Sequence, residues 1–299
     1  MSFDVVVVGS VNQDLTLFTR RHPRPGETVL GRNHRWSGGG KGANQAVAAA
    51  RLGARTALIG RIGDDEQGRA LRASLSEEGI DLSCFDADPE GPTGLAVITV
   101  DDKAENSIVV SPGANSALSA GDLAECAEIV AGAGVVLAQL EIPLETVVAA
   151  ASATTSLFCL NPAPAQELPE DLLSRVGVLI PNRSELATLA SGDTPGRPEE
   201  VIEMARSIKG PGAVVVTLGS DGVMVVRGEE ATRVASPRVE PVDTTGAGDA
   251  FCGALGEALS RRIDLIDAVH WAAKAGALAT TRHGAQDAMP SRDDLETLS

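Results

Sequence analysis

The run Asp243-Thr244-Thr245-Gly246-Ala247-Gly248-Asp249-Ala250-Phe251 joins a glycine-rich stretch to a carboxylate. Ala250, Ala254, Leu255, Ala258 and Leu259 then recur at helical spacing. This order puts Gly246–Gly248 at a helix N-terminus, where unpaired N–H groups and the positive end of the helix dipole converge, and small residues let a phosphate reach the backbone. Asp249 falls in the first turn, beside that anion cradle. Phosphoryl transfer is the chemistry such an arrangement serves, although glycine turns and an N-terminal Asp are also ordinary structural devices.

A second stretch, Trp36-Ser-Gly-Gly-Gly-Lys-Gly-Ala-Asn-Gln-Ala46, passes from glycines straight into an Ala-rich helical pattern ending near Gly53. The spacing is not that of a Walker A loop, since Gly42 follows Lys41 where Ser or Thr is required. Bare glycine backbone lets a substrate lie close, and Lys41 and Asn44 add donors suited to hydroxyl groups.

With both stretches in view the chain resembles the PfkB carbohydrate kinase family, and within it the ribokinase group. The resemblance runs through Val8-Gly-Ser-Val-Asn-Gln-Asp14, Pro25-Gly-Glu-Thr28, Gly38 to Ala46, Gly60-Arg-Ile-Gly-Asp-Asp65, Pro112-Gly-Ala-Asn115, Asn161-Pro-Ala-Pro-Ala165, Pro181-Asn-Arg-Ser-Glu185, Thr217-Leu-Gly-Ser220, 243–251 and Gly284-Ala-Gln286. It implies transfer of phosphate from ATP to O5 of D-ribose. Another pentose or nucleoside kinase, 2-deoxyribose first, and a non-catalytic sugar- or nucleotide-binding regulator are the alternatives.

Asp249 is the expected general base, accepting the proton of the attacking hydroxyl. The N–H groups of Gly246, Ala247 and Gly248 are expected to stabilise charge on the transferring group. Asn12, Asp14, Gly40, Lys41, Asn44 and Glu141 match the family's sugar-binding positions. For the nucleotide, Asn182 and Glu185 match a pattern that helps organise Mg²⁺ and phosphate. The run Thr217, Leu218, Gly219, Ser220, Asp221 and Gly222 resembles the loop that meets the nucleotide, with Gly248 in the cradle and Ala273 on a helix bordering adenine. His283 reads as a solvent-facing loop residue. A K⁺ site is implied at Asp243, Thr245, Ala279, Arg282, Gly284 and Ala288, mainly through backbone carbonyls; Ala288 departs from the Ser usual there.

These groups need a scaffold that gathers them. Short Val/Ile/Leu runs at 4–9, 56–60, 134–140, 156–160, 177–180 and 213–218 alternate with helical patterns at 41–52, 66–78, 121–131, 145–153, 184–190, 199–208, 248–260 and 265–281. That alternation predicts an α/β fold, a Rossmann-like, mostly parallel sheet with helices on both faces. Val239 and Val242 read as a further short extended run. The whole chain, 1–299, reads as one sugar kinase domain, with segments 14–36 and 93–111 outside the rhythm. The runs 93–100 and 106–111 suit a β-hairpin, and the resemblance makes these segments a small β-sheet lid and a homodimer contact.

A net charge of −16 argues against nucleic-acid and anionic-membrane partners, because the long-range field repels polyanions. Cysteines 84, 126, 159 and 252 show no metal-ligand spacing, so reduced thiols in a cytoplasmic protein are expected. The N-terminal Val5–Val8 run lacks the basic flank of an export signal and is too short to span a bilayer.

Overall fold

The computed structural model describes residues 2–103 and 105–298. Its strands are β1 (Val5–Val8), β2 (Asn12–Phe18), β3 (Asn33–Gly39), β4 (Thr56–Gly63), β5 (Phe85–Asp88), β6 (Gly94–Val100), β7 (Asn106–Ser111), β8 (Val135–Ala138), β9 (Leu157–Leu160), β10 (Val178–Leu179), β11 (Ala213–Thr217), β12 (Val223–Arg227) and β13 (Glu230–Val234). Its helices are α1 (Lys41–Arg51), α2 (Glu66–Glu77), α3 (Ala120–Glu125), α4 (Ala127–Ala131), α5 (Leu144–Ala153), α6 (Glu170–Leu173), α7 (Arg183–Leu189), α8 (Pro198–Ser207), α9 (Ala247–Ser260), α10 (Leu265–Ala279) and α11 (Arg292–Thr297).

Nine strands form one sheet in the order β13-β12-β11-β10-β9-β8-β1-β4-β5. From β11 to β5 every pairing is parallel, while β12 and β13 add an antiparallel edge. The four valines of β1 explain its central place. Val5 and Val7 pack into the cluster containing α1, α9 and α10, and Val6 and Val8 into the cluster containing α3, α4 and α5. A strand buried on both faces needs no polar alternation. β4 pairs with one edge of β1 and β8 with the other, so the crossovers diverge there and leave a crevice at the strands' C-terminal ends, where open α/β sheets bind ligands.

The second sheet has the order β3-β2-β6-β7. β2 and β6 alternate between buried and half-buried residues, whereas every residue of β7 is exposed, including Ile108, Val109 and Val110. The expected hairpin is present as the antiparallel β6–β7 pair.

The structure corrects three expectations. Helix 121–131 is two short helices meeting at Cys126, which ends α3 and begins α4. The segment holding Val239 and Val242 pairs with no strand among the described residues; Val242 N–H instead donates to Thr280 O at 2.7 Å. The cysteines are not all reduced: Cys84 and Cys126 form a disulfide, while Cys159 and Cys252 are free and buried. Folding brings the loop before β5 to the α3–α4 junction, a proximity that a separation of 42 residues does not announce.

Candidate active site

The first strand ends at a tight approach. A Cβ on Gly42 would lie 2.5 Å from the Gly9 carbonyl carbon, so α1 begins directly against the end of β1. Ser10 lies at this junction, its hydroxyl donating to Glu141 Oε2 at 2.5 Å. The Lys41 N–H donates to the same oxygen at 3.2 Å. Glu141, just beyond β8, thereby fixes the N-terminus of α1, where a carboxylate also meets the favourable end of the dipole. Asn12 is held by Asn115, whose Nδ2 donates to Asn12 Oδ1 at 2.8 Å and to Val11 O at 3.0 Å.

Asp249 sits in the first turn of α9 with only 7% of its surface exposed. Asn44 Nδ2 donates to Asp249 Oδ2 at 2.9 Å and Gln45 Nε2 to Asp249 Oδ1 at 3.1 Å. Each carboxylate oxygen therefore has one protein donor and keeps a further acceptor position for a substrate hydroxyl. Gly246 precedes the helix at φ 75°, a left-handed conformation in which a side chain is strained. No side chain among the described residues caps α9, and a Cβ on Gly248 would meet no atom within 4 Å. The start of α9 is thus open backbone, as an anion cradle requires.

Two buried acceptors lack partners. Asp14 Oδ1 and Asn44 Oδ1 are both buried and accept no hydrogen bond among the described residues. Burial, followed by the negative charges of Glu141 and Asp249, raises the Asp14 pKa to about 7. Lys41 shows the opposite balance: burial opposes its charge, but Asp249, Glu141 and Glu185 outweigh that cost and raise its pKa. One ammonium among four carboxyl groups offsets only part of their charge, and the same crowding helps Asp14 hold its proton.

Two cavities meet at Pro241 and Thr244. One, about 740 Å³, runs between the second sheet and the loops at 243–245 and 283–285, with Asp14 on its wall. Asn12, Gly40, Lys41, Asn44, Glu141 and Asp249 do not line it. The other, about 670 Å³, is walled by Thr217, Gly219, Ser220, Gly222, Gly248 and Ala273. Leu218 and Asp221 from the same expected run do not line it: Leu218 is buried, and the Asp221 carboxylate accepts from Arg183.

Asn182 and Glu185 form a reciprocal capping box on α7. Glu185 N–H donates to Asn182 Oδ1 at 2.9 Å, while Asn182 N and Nδ2 each donate to Glu185 at 2.8 Å. Burial raises the Glu185 pKa, against the Asn182 backbone donor and the charge of Lys41, which lower it. Each Glu185 oxygen accepts one bond from Asn182 and keeps a further acceptor position, which suits contact with the water shell of a hydrated Mg²⁺.

The expected K⁺ residues fall on two loops that the fold stitches together. Asp243 Oδ1 accepts from Thr245 N at 3.0 Å and Oδ2 from Gly284 N at 2.9 Å. Burial works against the ionised form of Asp243, but these donors prevail and lower its pKa. The Asp243 N–H meets Thr280 O, just past Ala279 at the end of α10. Arg282 turns its guanidinium to Asp294 at 2.9 Å, leaving only its backbone for the loop, and Ala288 is buried in a 3-10 turn. The groups shown against the Asp243 carboxylate are backbone N–H donors, so a hard cation held here would draw on its remaining lone pairs and on carbonyl oxygens of the two loops. His283 is exposed, as expected, 3.9 Å from Asp243.

Sequence reasoning missed several residues here. Gln45, Gln139 and Asn161 were not assigned, although the buried Gln45 and Gln139 and the half-buried Asn161 form an amide cluster behind Asp249. The one available signal was that Gln45 follows Asn44 on the same helical turn. Segment 236–239 was missed as a cavity wall because it belongs to no regular element.

The chain matches the model of the pfkB family carbohydrate kinases over residues 2–292. It is 38% identical over 300 residues to a ribokinase of Haemophilus influenzae, the match covering 98% of each chain. Among solved structures it is similar to a ribokinase of Thermotoga maritima, with a TM-score of 0.91 and 33% identity over 98% of both chains. A ribokinase of Arabidopsis thaliana complexed with ribose and ATP gives a TM-score of 0.91 at 32% identity, covering 100% of this chain and 99% of that one. Carboxylate, open helix start and paired cavities lie in a chain that matches one family along nearly its whole length, and the chain belongs to the pfkB family of carbohydrate kinases.

Proposed function

We propose that this chain transfers the γ-phosphoryl group of ATP to O5 of D-ribose. The observation that carries this reading is Asp249 at the open start of α9, with its carboxylate held by two buried amides and Gly248 facing the second cavity. The sugar occupies the crevice at the ends of β1 and β8. Its hydroxyls donate to the unpartnered oxygens of Asp14 and Asn44, and Asn12, Gly40, Lys41 and Glu141 complete the pocket. ATP lies in the cavity walled by Thr217–Gly222, the 236–239 segment and α10. Asp249 takes the proton of the 5-hydroxyl as its oxygen attacks phosphorus, and the N–H groups at 246–248 receive the charge on the equatorial oxygens.

Mg²⁺, when bound with ATP, neutralises phosphate charge, and Asn182 and Glu185 are the residues placed to meet its water shell. K⁺ is assigned to Asp243 and the carbonyls of Thr245, Ala279, Arg282, Gly284 and Ala288. Replacing K⁺ by Na⁺ at fixed ionic strength is expected to lower turnover by less than about tenfold, through poorer alignment of the cradle. Asp243→Ala is expected to remove most of that difference, and equal rates in both salts would refute the cation site.

The second sheet acts as the lid over the sugar, and the apolar residues Trp36, Ile108, Val109 and Val110 on its exposed surface supply a homodimer contact. No described helix is long and apolar enough to cross a membrane. We place the chain in the cytoplasm on the strength of its ATP use, with the Cys84–Cys126 bond as a local feature. The central experiment is an ADP-release assay across ribose, 2-deoxyribose, fructose and adenosine. The highest kcat/KM is expected for ribose; a higher value for any of the others would overturn this assignment.

A further inference from the structure

We infer that Gln45 and Gln139 are positioning residues for phosphoryl transfer, two buried amides forming with the half-buried Asn161 a chain that fixes which face of Gln45 meets Asp249. The inference rests on Asp249 being the base. Gln45 and Gln139 are fully buried, and neither lines the sugar or nucleotide cavity.

The polarity of the chain is set at its far end. Ile180 O can only accept, so Asn161 presents Nδ2 to it, at 2.9 Å, and turns Oδ1 toward Gln45. Gln45 must therefore present Nε2, which donates to Asn161 Oδ1 at 3.3 Å and to Asp249 Oδ1 at 3.1 Å. Its Oε1 is left to accept from Gln139 Nε2 at 2.7 Å. Reversing the Gln45 amide would place oxygen against oxygen at both Asn161 and Asp249, and nitrogen against nitrogen at Gln139. A backbone carbonyl on β10's end thus dictates, through two side chains, that a donor faces the base whether or not substrate is bound.

The chain also has a cost that a purely structural network would avoid. Gln139 Oε1 is buried without a donor among the described residues and lies against Gly9, where a side chain would collide with it. A leucine at 139 would remove that orphaned acceptor, whereas glutamine supplies the donor that holds Gln45 in place.

The test compares Gln45→Leu, Gln139→Leu and the double variant with the wild type, using saturating ATP and Mg²⁺, D-ribose titrations, and thermal melts to confirm folding. Loss of a donor to the carboxylate is expected to lower kcat by about ten- to a hundredfold in Gln45→Leu. Gln139→Leu should give a smaller loss, and the double variant no more than Gln45→Leu alone, because Gln139 acts through Gln45. Ribose affinity by calorimetry should stay within about twofold in all three, since none of the replaced groups meets the sugar. Wild-type kcat in folded Gln45→Leu, or independent additive losses in the double variant, would overturn the inference. If Gln45→Leu does not fold, the isosteric Gln45→Glu replaces it: the added carboxylate faces that of Asp249, and kcat must fall with the melt preserved. Full activity in Asp249→Asn would refute the base itself, whereas an inactive Asp249→Asn beside a fully active Gln45→Leu would refute only the positioning role.

Discussion

The sugar side and the nucleotide side of this site are made of different materials. The sugar side consists of buried polar side chains, Asn12, Asp14, Asn44 and Asp249, each fixed by a neighbour or left with one acceptor free. The side proposed for the nucleotide is lined largely by glycines and small residues, with Ala247, Gly248, Ala273, Gly276 and Ala277 along its helical walls and Phe251 and Arg238 among its larger side chains. A pocket that must discriminate hydroxyl patterns needs oriented side chains, because an analogue lacking a hydroxyl leaves a buried partner unpaired. A pocket that must admit a polyphosphate needs close backbone approach and space.

The sharpest way to break this comparison is at the residue on the border. Asp249→Asn should lower kcat by about a hundred- to ten-thousandfold, leaving folding and ribose binding largely intact. Calorimetry and turnover on the same preparation check this, and near-normal turnover would remove Asp249 from catalysis. Next in size is sugar discrimination. Ribose should exceed 2-deoxyribose in kcat/KM by roughly ten- to a hundredfold, because the deoxy sugar leaves Asp14 or a neighbour unpaired; equal values would mean the polar pocket does not read the 2-hydroxyl.

The glycines test the other half. Gly248→Ala puts a methyl into open space at the cradle, so stability should hold while KM for ATP rises about tenfold. Gly246→Ala should instead lower stability by about 1–2 kcal/mol, since the residue is left-handed and its Cβ would lie 3.0 Å from Ala285 Cα. If Gly248→Ala binds ATP normally, the nucleotide side does not depend on backbone approach.

The smallest effect concerns pH. In the ligand-free fold Asp14 holds its proton up to about pH 7, whereas the unfolded chain releases it near 3.8. The folded state therefore binds more protons between these values, and stability from this group falls as pH rises through the window. Asp14→Asn removes that slope, so its Tm relative to wild type should climb by a few degrees between about pH 4.5 and about pH 8. A gap that does not change with pH would show that Asp14 is ionised throughout.

How much of this could be read from the chain follows the same division. Side chains announce themselves: Asp14, Asn44 and Asp249 are polar residues next to glycines and strand ends, and folding sets Asn44 against Asp249. The six core strands were legible because continuous Val/Leu/Ile runs such as Val5–Val8 have few alternatives to a strand covered on both faces. Walls made of backbone are harder to see, so segment 236–239 went unassigned and Leu218 and Asp221 were placed in a lining to which neither contributes. Gln139 and Asn161 were invisible for another reason: they reach Asp249 through Gln45, and only folding brings these partners together. The Cys84–Cys126 pair was misread on the same ground.

Placing Val5–Val8 inside the large sheet also sets an order for the molecule's birth. The strand is made before both of its neighbours, Thr56–Ile59 on one side and Val135–Ala138 on the other. At about 5–20 residues per second the second neighbour arrives on the order of ten seconds later. Until then one edge of the four-valine strand stays unpaired while the chain grows from its other end, a natural client segment for a chaperone.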